Sequence, residues 1–507
     1  MLLYHLKKER LCILNTKTSM DAPPTITFVS AFLELGEDRS NDKSVDRCFS
    51  LFERLAASRI SICLFVSSSL NERATSLCKE YPNIHLMPSI ELEELWTHRT
   101  IADIKDISLP PERTSYHDTT AFLTLMNAKI EFVAKAMKAN PFGTAHFAWI
   151  DFSICHVLQH PEQTLERLHT YSVSRLQDRM LLFPACWSKP DAKRRYATLL
   201  SRVFWRFCGG CFLGDRQSLW EFYRQYQVHF PAFLREKKRL LWEVNVWAWL
   251  EQQGHLVAQT YRANHDDSIL QIPAEYLQTV ACLTTIPPRF QRVLSTVRSL
   301  LLQVDHVYLS VSRHYERFGT VPLLDISQEA DLQGRVSIVE CEDRGPATKY
   351  LGALAHLPKQ VWVLFCDDDQ CYHPSLVRRM KRSIRALGAY QNAYEHVKKG
   401  SGGVIHGYVG NLFHQHALQA LPSFPQPACS RFVDDQWMSV YCFQQKIPIF
   451  PSGIETYREL FSVLRKGGYE LVGEDSLASL GNRDQKVEEL AHYFRVLFRP
   501  DGVITSA

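Results

Sequence analysis

Three consecutive aspartates, Asp367, Asp368 and Asp369, follow directly on the apolar run VWVLFC. Adjacent carboxylates repel one another, and the repulsion falls only when something positive sits among them. A bound metal ion is therefore the first expectation. Successive strand side chains point to opposite faces, so Asp367 and Asp369 are expected to face one way and Asp368 the other. Such an Asp-x-Asp pair suits a hard divalent cation, Mg²⁺ or Mn²⁺, completed by phosphate oxygens. A solvated turn at a strand end is the bland alternative.

Two further stretches add chemistry. Upstream, Glu342-Asp343-Arg344-Gly345-Pro346-Ala347-Thr348-Lys349 combines acids, two cations and a Gly-Pro turn. Arg344 and Lys349 could face a diphosphate and Asp343 could take ribose or base hydroxyls; surface charge is the competing reading. Downstream, Asp434 and Asp435 open the helix-like DDQWMSVYCF. A carboxylate is favoured electrostatically at a helix start, where it could act as a general base or merely stabilise the helix.

The first half carries a thinner set. In HFAWIDFS, Asp151 stands alone without an Asp-x-Asp partner, so metal binding there would need help from His265, Asp266 or Asp267 in RANHDDS. Glu243, in LLWEVNVW, is the positional analogue of the base, and Lys129 is the counterpart of Lys349. Each has a structural alternative: Asp151 as a buried cap, Glu243 as a helix-face acid, His265 as a packing residue, and Trp242, Trp247 and Trp249 as core.

These residues need elements to hold them. Apolar strand signals at TITFVSAFL, ISICLFVS, NIHLMP and HFAWIDFS, with others near Leu181 and Phe207, alternate with helical stretches. One long amphipathic helix is expected from Phe122 to Met137, ended by Asn140-Pro141, and a buried one in LLWEVNVWAWL. Near Leu270 the pattern begins again, through TVACLTTIPPRF, VDHVYLSVS, RVSIVECE and VWVLFC. Strands alternating with helices argue for parallel α/β sheets, which bind ligands beyond the carboxyl ends of their strands. A weak repeat links the halves: a lysine-bearing helix (Lys129, Lys349), a Trp-containing strand ending in acid, then His160-Pro161 and His373-Pro374. It reads as a tandem duplication.

Composition sets the bounds. With 507 residues, two domains are expected, 25–272 and 273–507, behind a poorly ordered leader at 1–24. A net charge of +4, with no dense Lys/Arg block, argues against a nucleic-acid surface. The 14 cysteines include one CxxC, Cys208-Gly-Gly-Cys211, without a second pair at zinc-site spacing. They read mostly as reduced core thiols, with a structural disulfide as the alternative. With no long apolar run and no cleavage signal, a soluble cytoplasmic protein is expected.

The succession LTTIPPRF, EDRGPATKYLGAL, FCDDDQCYHP and VDDQW resembles glycosyltransferases of the GT-A fold, close to algal and large-DNA-virus sequences, over about residues 279–450. TITFVSAFLELG, NAKIEF and HFAWIDFSICH resemble the HtrL/YibB family over about 25–265. The resemblance implies two tandem GT-A-like, Rossmann-like domains with mostly parallel sheets. It implies Mn²⁺ or Mg²⁺ on Asp367 and Asp369, a UDP- or GDP-sugar donor contacted by Asp343 and Lys349, and a glycan or glycoprotein acceptor. Asp434 or Asp435 would be the base of an inverting enzyme, and His492 is the candidate for the family's C-terminal metal-binding histidine. The first half would be a second transferase or a non-catalytic carbohydrate-binding module. A nuclease or nucleotidyltransferase is the competing enzyme class, expected to gather more carboxylates and a basic track.

Overall fold

The computed structural model describes residues 22–35, 44–114, 118–391, 404–454, 456–462, 482–499 and 503–507. Most of the expected leader lies outside the described residues. The first sheet contains β1 (Ile26–Phe32), β2 (Ile62–Val66), β3 (Ile84–Leu86), β4 (His146–Ile150), β5 (Leu181–Ala185), β6 (Cys211–Asp215) and β7 (Gln259–Arg262). The second contains β8 (Thr279–Thr284), β9 (His306–Val311), β10 (Val336–Glu340), β11 (Trp362–Phe365), β12 (Ala389–Gln391), β13 (Asn411–His414) and β14 (Ile449–Pro451).

Both seven-stranded sheets have one topology. The first runs β3-β2-β1-β4-β6-β5-β7 and the second β10-β9-β8-β11-β13-β12-β14, the same order once each half is counted from its own first strand. In each, only the sixth strand runs antiparallel to its neighbours, and the other pairings are parallel. The fold is thus α/β, with two tandem, mostly parallel sheets of Rossmann-like character, as expected. The repeat read in the sequence falls at equivalent points of the two sheets.

Strand composition follows from burial on both faces. Every residue of ITFVSAF in β1 is buried, as parallel strands sandwiched between helices require. One outer layer packs Val29, Phe147, Trp149 and Phe183; the other packs Val280, Cys282, Val363 and Phe365. Between them a single apolar cluster contains Phe28 and Leu64 of the first sheet together with Ala281, Leu309 and Trp362 of the second. Backbone hydrogen bonds stitch the same seam: Arg175 N donates to Gln360 O at 2.8 Å, and Gln278 N donates to Arg175 O at 2.9 Å. Trp362 Nε1 donates to Ser174 Oγ at 3.2 Å, and the buried Lys381 donates to Leu277 O at 2.7 Å.

Two local expectations differ. The amphipathic stretch breaks at Ala128 into Thr120–Asn127 and α1 (Lys129–Ala139), whose left-handed cap Asn140 has φ 41°. Phe207 lies in a loop, and the strand expected near it begins at Cys211. The Trp-rich stretch forms α2 (Glu243–Gln252) with Trp247 and Trp249 in the core. Among the described residues no helix is long and apolar enough to cross a membrane.

Candidate functional site

Beyond the carboxyl ends of β8, β10 and β11 opens a cavity of about 380 Å³. The turn after β8 contributes Thr285 and Arg289, the one after β10 Asp343 and Lys349, and the one after β11 the three aspartates. Asp434 and Asp435, the first residues of the helix Asp434–Gln444, close the cavity with His406 and Tyr408.

Lys349 organises this cavity. It lies on the one-turn helix α3 (Thr348–Leu351), its side chain 3% exposed. Its Nζ is 2.6 Å from Asp367 Oδ1, 3.0 Å from Asp434 Oδ2 and 3.9 Å from Asp435 Oδ1. Asp434 Oδ2 is an ion-pair partner that lies off the hydrogen-bonding direction. Burial works to lower the lysine pKa, but Asp367, Asp434 and Asp435 outweigh it and hold the ammonium well above its ordinary range. The ammonium expected to meet a diphosphate thus already bridges two walls of carboxylate.

The carboxylates on α4 (Asp434–Gln444) occupy the helix's first turn. Asp435 Oδ1 accepts from Gly407 N at 2.9 Å. A Cβ on Gly407 would lie 2.4 Å from Lys349 Nζ and 2.7 Å from Asp435 Oδ1, so only glycine permits this approach. Burial, then the adjacent Asp434, pushes the Asp435 carboxyl up to about 7.

The three aspartates divide, though not by strand alternation, because β11 ends at Phe365 and the carboxylates sit in the following turn. Asp368 turns inward, its side chain 8% exposed, bound by Thr285 Oγ1 at 2.6 Å and Arg289 Nη1 at 2.7 Å. Burial raises its pKa against the pull of Arg289. Asp367 and Asp369 are more open, at 33% and 21%. Burial, then Asp367 and Asp368, pushes Asp369 up to about 6. Six carboxylates therefore line a cavity with four cations, Arg289, Arg317, Lys349 and Arg483.

The metal expectation can be tested on that donor set. Among the described residues no group of three or more His, Cys, Asp or Glu side chains could hold a metal by itself. Asp367 and Asp369 offer two carboxylates, which fits a Mg²⁺ or Mn²⁺ ion taking its remaining ligands from phosphate oxygens and water. His492, the candidate third ligand, lies on an exposed face of the helix Arg483–Phe494 and does not line the cavity. Arg344 also turns away, pairing with Glu342 at 2.8 Å and Gln426 at 3.2 Å. Asp343 lines the cavity while its Oδ1 accepts from Gly345 N at 2.9 Å.

The first half repeats the same frame in closed form. Lys129, 1% exposed, lies 2.9 Å from Asp151 Oδ1 and 2.9 Å from Glu243 Oε1. It also donates to Gly209 O at 2.9 Å. Asp151 follows the fourth strand as Asp367 does, Gly209 precedes the sixth strand as Gly407 does, and Glu243 is the first residue of its helix as Asp434 is. Burial pushes the Glu243 carboxyl up, opposed by Lys129.

Glu243 does not match the base expected of it: it is 4% exposed and ion-paired, and a Cβ on Gly209 would lie 2.1 Å from its Oε1. Nor do Asp151 and His265 assemble as ligands. Asp151 Oδ1 also accepts from Trp149 Nε1 at 2.6 Å, Asp267 binds the backbone of Gln159 and His160 at 2.9 and 3.0 Å, and His265 packs on the Trp205 ring. Sequence reasoning missed Arg289, Thr285 and Gly407. Arg289 and Thr285 sat inside the quoted LTTIPPRF, at the end of the half's first strand, where a ligand-facing turn belongs.

Residues 24–238 match the family described as a bacterial protein of unknown function, HtrL_YibB. Protein HtrL of Escherichia coli (strain K12) is 30% identical over 146 residues, 26% of this chain and 51% of that protein. The chain thus spans about half the length of that curated relative. Among solved structures, the mannosyltransferase PcManGT from Pyrobaculum calidifontis, in complex with GDP-Man and Mn²⁺, is similar at 17% identity and TM-score 0.27, over 39% of this chain and 61% of that one. Mouse xyloside xylosyltransferase 1, apo form, is similar at 8% identity and TM-score 0.28, over 59% and 99%.

Proposed function

We propose that the second half is a glycosyltransferase that moves a sugar from a nucleoside-diphosphate sugar to an acceptor hydroxyl, with Mn²⁺ or Mg²⁺ on Asp367 and Asp369. The observation that carries this reading is the carboxylate-rich cavity beyond β8, β10 and β11, in which Lys349 ties Asp367 to Asp434 and Asp435. When bound, the cation supplies neutralisation of the charge that develops on the diphosphate leaving group. Arg289 holds Asp368 and orients the turn that presents Asp367 and Asp369. Lys349 fixes the distance between that turn and α4. Asp435, held by Gly407 N and titrating near neutrality, accepts the acceptor's hydroxyl proton while the oxygen attacks the anomeric carbon and the bond to the diphosphate breaks. Attack opposite the leaving group inverts the anomeric centre.

In the first half the sealed Glu243 supports a non-catalytic role, such as acceptor binding. The test is nucleoside diphosphate release from UDP-, GDP- and dTDP-sugars with Mn²⁺, in the native protein and in Asp369→Ala and Asp151→Ala. Release abolished by Asp369→Ala and retained by Asp151→Ala is expected. No release from any donor sinks the transferase reading, and pyrophosphate release from nucleoside triphosphates in its place establishes a nucleotidyltransferase.

A further inference from the structure

The CxxC motif does not pair with itself. Cys208 Sγ instead lies 3.0 Å from Cys186 Sγ, 22 residues away in sequence. The cysteines among the described residues are free thiols. Cys186 directly follows β5 and is half-buried, whereas Cys208 is fully buried, its N donating to Pro184 O at 2.9 Å. His265, displaced from the metal role foreseen for it, lies in the turn after β7 and favours the Cys186 thiolate.

We propose that Cys186 and Cys208 form a peroxide-reactive pair, with Cys186 as the attacking sulfur, His265 as the neighbouring group that favours its thiolate, and Cys208 as the resolving thiol. Each feature has a physical counterpart. A thiolate is the nucleophile in such chemistry, and it forms where cationic or hydrogen-bonding neighbours stabilise it. The Cys208 thiol, opposed by burial and assisted by His265 and Arg262, holds Cys186 well below the ordinary thiol range. The same contact, burial and Asp266 hold Cys208 above it. Cys211, the other cysteine of the motif, is fully buried and pushed up by burial to about 12, which keeps it unreactive.

The chemistry balances. The Cys186 thiolate attacks one oxygen of hydrogen peroxide; an S–O bond forms, the O–O bond breaks, and the leaving hydroxide takes a proton to become water. Cys208 then attacks the Cys186 sulfur, an S–S bond forms, the S–O bond breaks, and hydroxide leaves with the Cys208 proton as a second water. Two thiols are oxidised by two electrons and the peroxide is reduced. Cys208 adjoins Gly209, whose carbonyl accepts from Lys129, so the cross-link would anchor the loop over the first half's buried lysine.

The experiment is hydrogen peroxide titration of the full chain at neutral pH, followed by non-reducing peptide mass mapping. A Cys186–Cys208 linked peptide, reversed by dithiothreitol, is expected in the native protein. In Cys208→Ala, dimedone is expected to label Cys186, and Cys186→Ala should slow cysteine oxidation at least tenfold. A Cys208–Cys211 link, or exhaustive oxidation elsewhere without the Cys186–Cys208 peptide, overturns the proposal. The native-protein result decides it even where a variant misfolds.

Discussion

Lys349→Met removes the one ammonium that three carboxylates share while keeping most of the side chain's volume. At an effective dielectric of about 20, a pair of unit charges 3 Å apart interacts by roughly 5 kcal/mol, and Lys349 has two carboxylates at 2.6 and 3.0 Å. Desolvation of the buried ammonium offsets much of that, so the relevant figure is the loss on deleting one partner of a buried pair, about 3–5 kcal/mol. Protonation then relieves the stranded carboxylates. Asp435 titrates near 7 even with the lysine present, and without it the folded-state value climbs further. The folded state then holds more protons than the unfolded state between about pH 4 and that raised value, so stability falls as pH rises through this window. Urea denaturation should give a deficit of about 3–5 kcal/mol at pH 8 and a smaller one at pH 5. A deficit under about 1 kcal/mol at pH 8, or one unchanged between the two pH values, would refute the claim that this lysine holds the carboxylates together.

Three other outcomes are expected. Gly407→Ala should lower turnover at least tenfold, because the new Cβ meets Lys349 Nζ at 2.4 Å, whereas Gly209→Ala should lower thermal stability without that effect on turnover. Lys381 sits between the halves, its pKa lowered by burial to about 8 against the opposing pull of Asp305 and Glu275. Its unfolded pKa is higher, so native stability rises with pH from about 8 to 10.4, by roughly 3 kcal/mol. Lys381→Met should therefore be more stable than the native protein at pH 7, less about 1 kcal/mol for the stranded Leu277 carbonyl, and the difference should shrink by pH 10 in urea denaturation. Mn²⁺ should raise the thermal midpoint of the native protein, an effect that Asp369→Ala removes and Asp151→Ala retains.

How much of this was legible in the sequence depended on whether a residue's partner was local. The β-strand runs and the doubled lysine–acid–His-Pro pattern marked two sheets, because full burial on both faces writes itself as unbroken apolar segments. His160-Pro161 and His373-Pro374 mark equivalent places because Pro161 opens, and Pro374 lies just before, a helix that follows the acid-bearing turn. The antiparallel sixth strand left no comparable mark, since direction is set by tertiary crossover. Asp367 to Asp369 were recognisable as a group, yet their division came from Thr285 and Arg289, about 80 residues away. Lys349 read as a phosphate-facing cation because nothing local discloses that α4 delivers Asp434 beside it. Gly407 was invisible for a related reason: its importance is the absence of a Cβ next to atoms from two distant turns.

The apolar cluster shared by the two sheets has a consequence for how the chain can be divided. Phe28, Leu64, Leu309 and Trp362 all lie in it, and the backbone bonds through Arg175, Gln278 and Gln360 cross the same seam. A duplicated unit ordinarily survives excision, because each copy keeps its own closed interior. Here the two copies share one continuous apolar cluster, to which the helices Val45–Ala56 and Phe290–Leu301 contribute beside the strands, so cutting at residue 272 would expose apolar surface on both fragments. The two halves, tied by this shared cluster and by the backbone bonds across the seam, should melt in one cooperative step.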